Sequence, residues 1–294
     1  MTASTVFGLD LDNQPWKEYV LIFSFVVFFW ETYLNLRQHK MLGMKTIPAK
    51  SRVYSLDKST YNFFSSAFSQ LETTLVFTLN FLPWAWGYAG TLRASLGYNA
   101  DAEIVQSVIF VGLLTLISTL VNMPLSLYYT FVIEARHGFT SRRLATHNEV
   151  LAILAHELGH WQFSHTTKRL AIIQTHLFMV FFLFSKVIAL DSLYMSFGFD
   201  SKPIIIGFLL FQFIFTPAES IMGFVMNLIS RHDEFQADSY AKKLNYATDL
   251  KNGLIKIHLK NSSNLNPDKL YSIWHYSHPP LVERLSAIIK SKSE

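Results

Sequence analysis

Uncharged residues come in membrane-sized runs along this chain. Thr73–Leu92 is 20 residues without a charge and Ile104–Ile133 is 30. Tyr19–Leu36 is interrupted only by Glu31, Leu170–Leu190 only by Lys186, and Pro203–Ser230 only by Glu219. About 20 apolar residues cross the hydrocarbon core of a bilayer. The runs therefore predict an all-α integral membrane fold with about five transmembrane helices, near residues 19–36, 73–92, 104–133, 170–190 and 203–230. The competing reading, buried core helices of a soluble protein, fits the composition poorly. Half of the 294 residues are hydrophobic and 16 % are charged, against roughly 25 % charged in soluble domains. Intrinsic disorder, a coiled coil and a charged nucleic-acid-binding module are excluded on the same ground.

Charge placement gives the orientation. Arg37–Glu72 carries six Lys/Arg, Glu134–Arg169 five, and Arg231–Glu294 ten. The N-terminus carries only Lys17, and the segments 93–103 and 191–202 only Arg93 and Lys202. By the positive-inside rule the two long basic loops and the C-terminal tail face the cytosol, and the sparsely charged segments face the lumen. Asp10 and Asp12, with no basic n-region, make the first span a retained anchor rather than a cleaved leader.

One motif carries chemistry. His156-Glu157-Leu-Gly-His160 is an HExxH sequence in an apolar setting with no proline nearby. On a helix, positions i and i+4 share a face, so both imidazoles can address one ion, with Glu157 close enough to serve as general base. Zinc lowers the pKa of a bound water to about 7, and the glutamate takes the proton as that water attacks a polarised carbonyl. The chain has no cysteine, which excludes a thiol nucleophile and leaves His, Asp and Glu as ligands.

A catalytic zinc needs a third protein ligand. Glu234 and Asp238 lie four apart on a predicted helix. One can ligate while the other accepts the second N–H of a ligating histidine. Asp233 and Glu219 are rivals for the third position, and Asp238 could instead be a solvated charge paired with Lys242. His278 precedes Pro279 and Pro280, in a rigid turn from which it could donate to an oxyanion. A plain surface histidine is the equal alternative. His165 and His176 read as structural rather than ligating. Glu31, Lys186 and Glu219 are intramembrane charges, of which Glu219 is the hardest to explain by snorkelling.

With these residues in place, the sequence resembles the type I CAAX prenyl endopeptidases. The matching stretches are Ser51–Thr60, Leu125–Glu134, His137–Phe139, Val150–Trp161, Ser230–Leu244 and Trp274–Leu285. The resemblance implies one Zn2+ per chain on His156, His160 and Glu234, with Glu157 as base and His278 and Arg284 beside the active site. It implies helices around a water-filled chamber, and farnesylated CAAX proteins or peptides as substrates, cut to release the last three residues. It places the protein in the endoplasmic reticulum membrane, and also the inner nuclear membrane, with the zinc-site half toward the cytosol. No nucleic-acid partner is implied.

The chain also departs from that family. Members have seven spans and an Asn-Ala-Tyr-Phe segment between the third span and HExxH. Here His137-Gly-Phe139 is followed within ten residues by Asn148, and no Asn-Ala-Tyr-Phe occurs. The expected organisation is a single membrane domain over 1–294. It has N-terminal helices over 1–139, a seam at 140–147 and a zinc-site half over 148–294. The alternative function is a truncated isoform or paralogue, membrane-embedded but catalytically impaired. A transporter or channel is a third class, which leaves HExxH and ExxxD unexplained.

Overall fold

A computed structural model describes residues 5–6, 9–11, 14–43, 49–134, 146–260 and 267–290. Residues 140–145 of the expected seam, and His137–Phe139, lie outside the described residues. The fold is helical. A two-residue antiparallel pairing, β1 Thr5–Val6 with β2 Leu9–Asp10, precedes α1 Trp16–Leu42. Then come α2 Ala49–Thr78, α3 Phe81–Ser95 and α4 Glu103–Tyr128, which runs into a π-helical segment, Tyr129–Glu134. The second half holds α5 His147–Gln162, α6 His165–Val187, α7 Asp191–Ser196 and α8 Ile204–Lys243. It ends with α9 Ala247–Lys260, α10 Lys269–His275 and α11 Leu281–Lys290.

Among the described residues four helices, α1, α4, α6 and α8, are long and apolar enough to cross a membrane. Their apolar side chains stay largely uncovered: Phe178 is 74 % exposed and Val108 68 %. In water such surfaces would be liabilities; in lipid they are the solvent-facing side. The stretch expected as a span at 73–92 is instead divided between α2 and α3. Asn80 adopts a left-handed conformation (φ 52°). Pro83 has no N–H to return to the carbonyl of Leu79, and its ring would collide with it in a continuous helix. The last expected span, 203–230, is part of a longer element. α8 is 40 residues, about 60 Å at 1.5 Å per residue, and carries Glu234 and Asp238 on the same continuous helix.

The chain divides into two compact units. The first comprises Met1–Trp30, Phe63–Val132 and Leu177–Ala218. Its core is aromatic and aliphatic: Phe77 packs edge-on against Phe197 and Phe213 (centroids 5.6 and 5.0 Å apart), beside buried Leu193, Tyr194, Ile206 and Leu210. Ser192 Oγ accepts from the Trp16 indole and donates to the Leu11 carbonyl. The second unit comprises Glu31–Asn62, Ile133–His176 and Glu219–Glu294, and holds the candidate site. Its core gathers Ala152, Ala155, Ala241, Leu250, Leu254, Leu281 and Ile288. Arg37 forks onto Asp268 with two bonds of 3.0 Å, and Asp268 caps α10 through Leu270 N and Tyr271 N.

The three charges that interrupt the apolar runs, Glu31, Lys186 and Glu219, have partners. Glu31 accepts from the Trp274 indole (2.9 Å) and pairs with His275 (3.0 Å). Glu219 pairs with His176 at 3.1 Å. Lys186 sits 5.7 Å above the Phe182 ring.

Candidate metal centre

The HExxH helix is fixed at its start by a reciprocal cap. Thr146 Oγ1 accepts from Glu149 N, and Glu149 Oε2 accepts from Thr146 N at 2.7 Å. The spacing Thr-x-x-Glu is the sequence signature of this capping box. Lys256 Nζ also reaches Glu149 Oε2 at 2.7 Å, tying α9 to α5. That bond, with the Thr146 amide, holds the Glu149 carboxyl below the usual range.

Helix α5 meets α8 at Gly159. Ala152, Ala155 and Gly159 on α5, at i, i+3 and i+7, are buried, as are Ala237 and Ala241 on α8. At Gly159 the approach is closest: a Cβ there would lie 2.9 Å from Ala237 Cα and 3.1 Å from Tyr240 Cβ. Glycine in this place lets the two helices meet and brings the α5 histidines within reach of the α8 carboxylates. Past Gln162 the chain turns through Ser164, in a left-handed conformation (φ 54°), and α6 begins at His165.

The result is a convergence of the buried His156 and Glu234 with the half-buried His160. His156 Nε2 and His160 Nε2 are 3.2 Å apart. Glu234 places Oε2 3.5 Å from His156 Nε2 and Oε1 3.5 Å from His160 Nε2. A tetrahedral zinc with ligands at about 2.0–2.2 Å has edges of about 3.3–3.6 Å; the imidazole pair and each imidazole–carboxylate contact come close to that, the two contacts being made by different oxygens of Glu234. The donor chemistry fits as well. No well-formed hydrogen bond reaches the buried Glu234 Oε2, although the Arg284 guanidinium stands 3.0 Å away, and Asp238 draws the His156 proton to Nδ1, which leaves the Nε2 lone pair facing the convergence. Burial and the neighbouring His156 lower the His160 pKa, favouring the neutral, ligating form.

Around the convergence, His156 Nδ1 lies 2.9 Å from Asp238 Oδ1, so Nδ1–H donates outward and Nε2 offers its lone pair inward. Arg284 from α11 grips Asp238 with bonds of 2.6 and 2.8 Å and sets Nη1 3.0 Å from Glu234 Oε2. Burial lowers the Arg284 pKa, but its bonds to Asp238 raise it further, so the guanidinium stays charged. Two carboxylates share one cation here, which leaves net negative charge for a metal ion. His278 Nε2 stands 3.3 Å from Glu234 Oε1 with its side chain mostly exposed. Glu157 is exposed, and its charge is felt by both His160 and Arg284.

The rivals for third ligand are engaged elsewhere: Asp233 with Arg169 at 3.0 Å, Glu219 with His176. His165, read as structural, sits with Nδ1 2.9 Å from His160 Nδ1. Gly159 and Thr146 are the positions that motif reading passed over. The first could have been found from the small-residue spacing, the second from the capping-box pattern.

Comparison with known proteins places the chain. The model of peptidase family M48 matches residues 106–292, and that of the CAAX prenyl protease N-terminal region, described as five membrane helices, matches residues 45–148. Among curated proteins, a CAAX prenyl protease 1 homolog from Oryza sativa subsp. japonica is 28 % identical over 419 positions, covering 95 % of this chain and 99 % of that protein. The CAAX prenyl protease 1 homolog of Mus musculus is 29 % identical over 453 positions (94 % and 95 %). Both alignments exceed the 294 residues of this chain, so each relative carries long segments without a counterpart here. The crystal structure of Ste24p from S. mikatae superposes with a TM-score of 0.79 at 28 % identity, covering 95 % of this chain and all of that one. With a family model spanning most of its length and its helices laid out like a solved relative's, this multi-pass membrane chain belongs to peptidase family M48, among the CAAX prenyl proteases.

Proposed function

We propose that the chain is a zinc endopeptidase of the endoplasmic reticulum membrane, and that it removes the C-terminal tripeptide of farnesylated CAAX proteins. The observation that carries this reading is the spacing of His156, His160 and Glu234, 3.2–3.5 Å between ligand atoms. The names of the relatives support the substrate class. A zinc ion held there supplies Lewis acidity toward a substrate carbonyl and brings the pKa of a water near neutrality. Glu157 takes the proton of the attacking water at its carboxylate and delivers it to the leaving amine. His278 donates to the developing oxyanion from beside Glu234. Asp238, clamped by Arg284, keeps His156 in the tautomer that presents Nε2.

Two measurements test this. The purified protein should hold one zinc per chain and lose it on Glu234→Ala. A farnesylated CAAX peptide should be cut by the wild type and not by Glu157→Gln. The long segments that the relatives have and this chain lacks favour a second reading, an impaired paralogue. Zinc binding with no turnover by either protein would select it, and equal turnover by both would remove Glu157 from the mechanism.

A further inference from the structure

His160 has an unusual neighbour. A ligating histidine ordinarily donates its second N–H to a carboxylate, a backbone carbonyl or water. His156 follows that habit with Asp238. His160 instead faces another imidazole, His165 Nδ1, at 2.9 Å. His165 is only 2 % exposed, and its Nε2 lies 3.0 Å from Gln236 Oε1 and 3.5 Å from Asp233 Oδ1. Gln236 Nε2 in turn lies 3.0 Å from His232 Nε2. Asp233 Oδ2 is occupied by Arg169.

The direction of every bond in this chain follows from its inner end. His160 Nε2 points at His156 and Glu234 and must present a lone pair to a metal. Its proton therefore sits on Nδ1 and is donated to His165 Nδ1. His165 then carries its own proton on Nε2 and donates to the Gln236 oxygen. The Gln236 amide, oriented by that acceptance, donates to His232 Nε2. No member has to give two protons to one bond or none.

Resting on the metal-centre reading above, we infer that His165 is a positioning residue: its Nδ1 lone pair fixes the tautomer and ring plane of His160, and Gln236 fixes those of His165. The two ligating histidines thus have unlike supports, an anion for His156 and a neutral acceptor for His160. The Ser164 turn serves this arrangement by bringing His165 back against a ligand five residues earlier.

The test uses the full-length protein in detergent, with zinc affinity measured by chelator competition and geometry by the visible spectrum of the cobalt form. Loss of such a supporting group typically costs 10–100-fold in metal affinity. His165→Leu removes the acceptor, so its zinc affinity should fall by about that factor. His165→Asn can offer its side-chain oxygen near the position of Nδ1. It should stay within about threefold of wild type, well inside the loss typical of a missing supporting group, and keep the cobalt spectrum. A packing role alone would treat Leu at least as kindly as Asn. A folded His165→Leu that binds zinc like the wild type overturns the inference, as does His165→Asn losing as much as His165→Leu. Should the Leu variant not fold, the Asn variant decides, with a tenfold loss overturning the inference. Failure of the wild type to bind zinc, or binding that survives Glu234→Ala, overturns the metal centre itself and the inference with it.

Discussion

Replacing Gly159 with alanine should unload the metal centre at a cost that leaves the protein folded. The added methyl carbon would lie 2.9 Å from Ala237 Cα, whereas carbon atoms rest about 3.5–4.0 Å apart. Both atoms belong to helix backbones or their first side-chain carbon, so rotamer changes cannot relieve the clash. The helices α5 and α8 must part by roughly 0.6–1 Å to restore ordinary carbon contact. Overpacking costs about 1–3 kcal/mol, and alanine returns up to about 1 kcal/mol of helix propensity, so the net loss of stability is about 2 kcal/mol or less. The ligands are less forgiving. His156 and His160 ride on α5 and Glu234 on α8, and metal–ligand distances tolerate only about 0.2 Å. Zinc content after dialysis against a graded chelator should fall at concentrations that leave the wild type loaded, while the metal-free protein still melts cooperatively, only a few degrees lower. Gly223→Ala is the control, on the same ligand helix but with open space around the new methyl. It should be neutral or slightly stabilising. Zinc affinity unchanged in Gly159→Ala would refute the claim that this glycine sets the ligand spacing.

Three further outcomes are expected. Arg284→Gln should lose zinc and stability together, because it leaves Asp238 and Glu234 buried without their shared cation, a change that typically costs 3–5 kcal/mol; Arg284→Lys should not rescue it, since a point charge cannot make the forked contact. Glu149 has a lowered folded pKa, so its contribution to stability is full above the unfolded value of about 4.3 and is lost as pH falls through the folded one. In a thermal-melt series from neutral to acid pH, wild type should exceed Glu149→Gln at neutrality and converge with it in acid; a constant gap would contradict the assignment to the charged form. Gly207→Ala should destabilise the first unit by about 1–3 kcal/mol, because the new methyl falls on the Tyr194 hydroxyl. Combination with Tyr194→Phe, which deletes the clashing oxygen, should recover part of that loss in a denaturation midpoint, and strict additivity would be the contrary result.

The membrane helices were readable because lipid asks one thing of a helix, an uncharged surface, and charge counting measures that directly. Counting could not see the break at Leu79–Asn80, which depends on a left-handed residue and a proline three positions on, neither of which carries charge. It also ended the last span at Ser230, where polarity begins, although the hydrogen-bond ladder continues to Lys243. The motif put His156 and His160 on one face because helical spacing fixes which side chains share a face, and the structure brings the two together. It was silent on Gly159, an unspecified position of HExxH, because that residue acts through another helix. His165 reads as structural rather than ligating, but its contact with His160 was not legible in the sequence, because it depends on the left-handed turn at Ser164 between the two helices.

The continuity of α8 has a consequence for length variation. Glu219 and Glu234 stand on one uninterrupted helix, each residue of which advances the backbone about 1.5 Å and turns it about 100°. Deleting a single residue between them would swing Glu234 to another face, away from the histidines, even though no ligand had been altered. A ligand borne on its own helix after a loop would be buffered against such a slip. Angular phase is thus a heritable constraint on this stretch: natural or engineered insertions within it should survive only as near-whole turns, while connections elsewhere in the chain can change length without disturbing the ion.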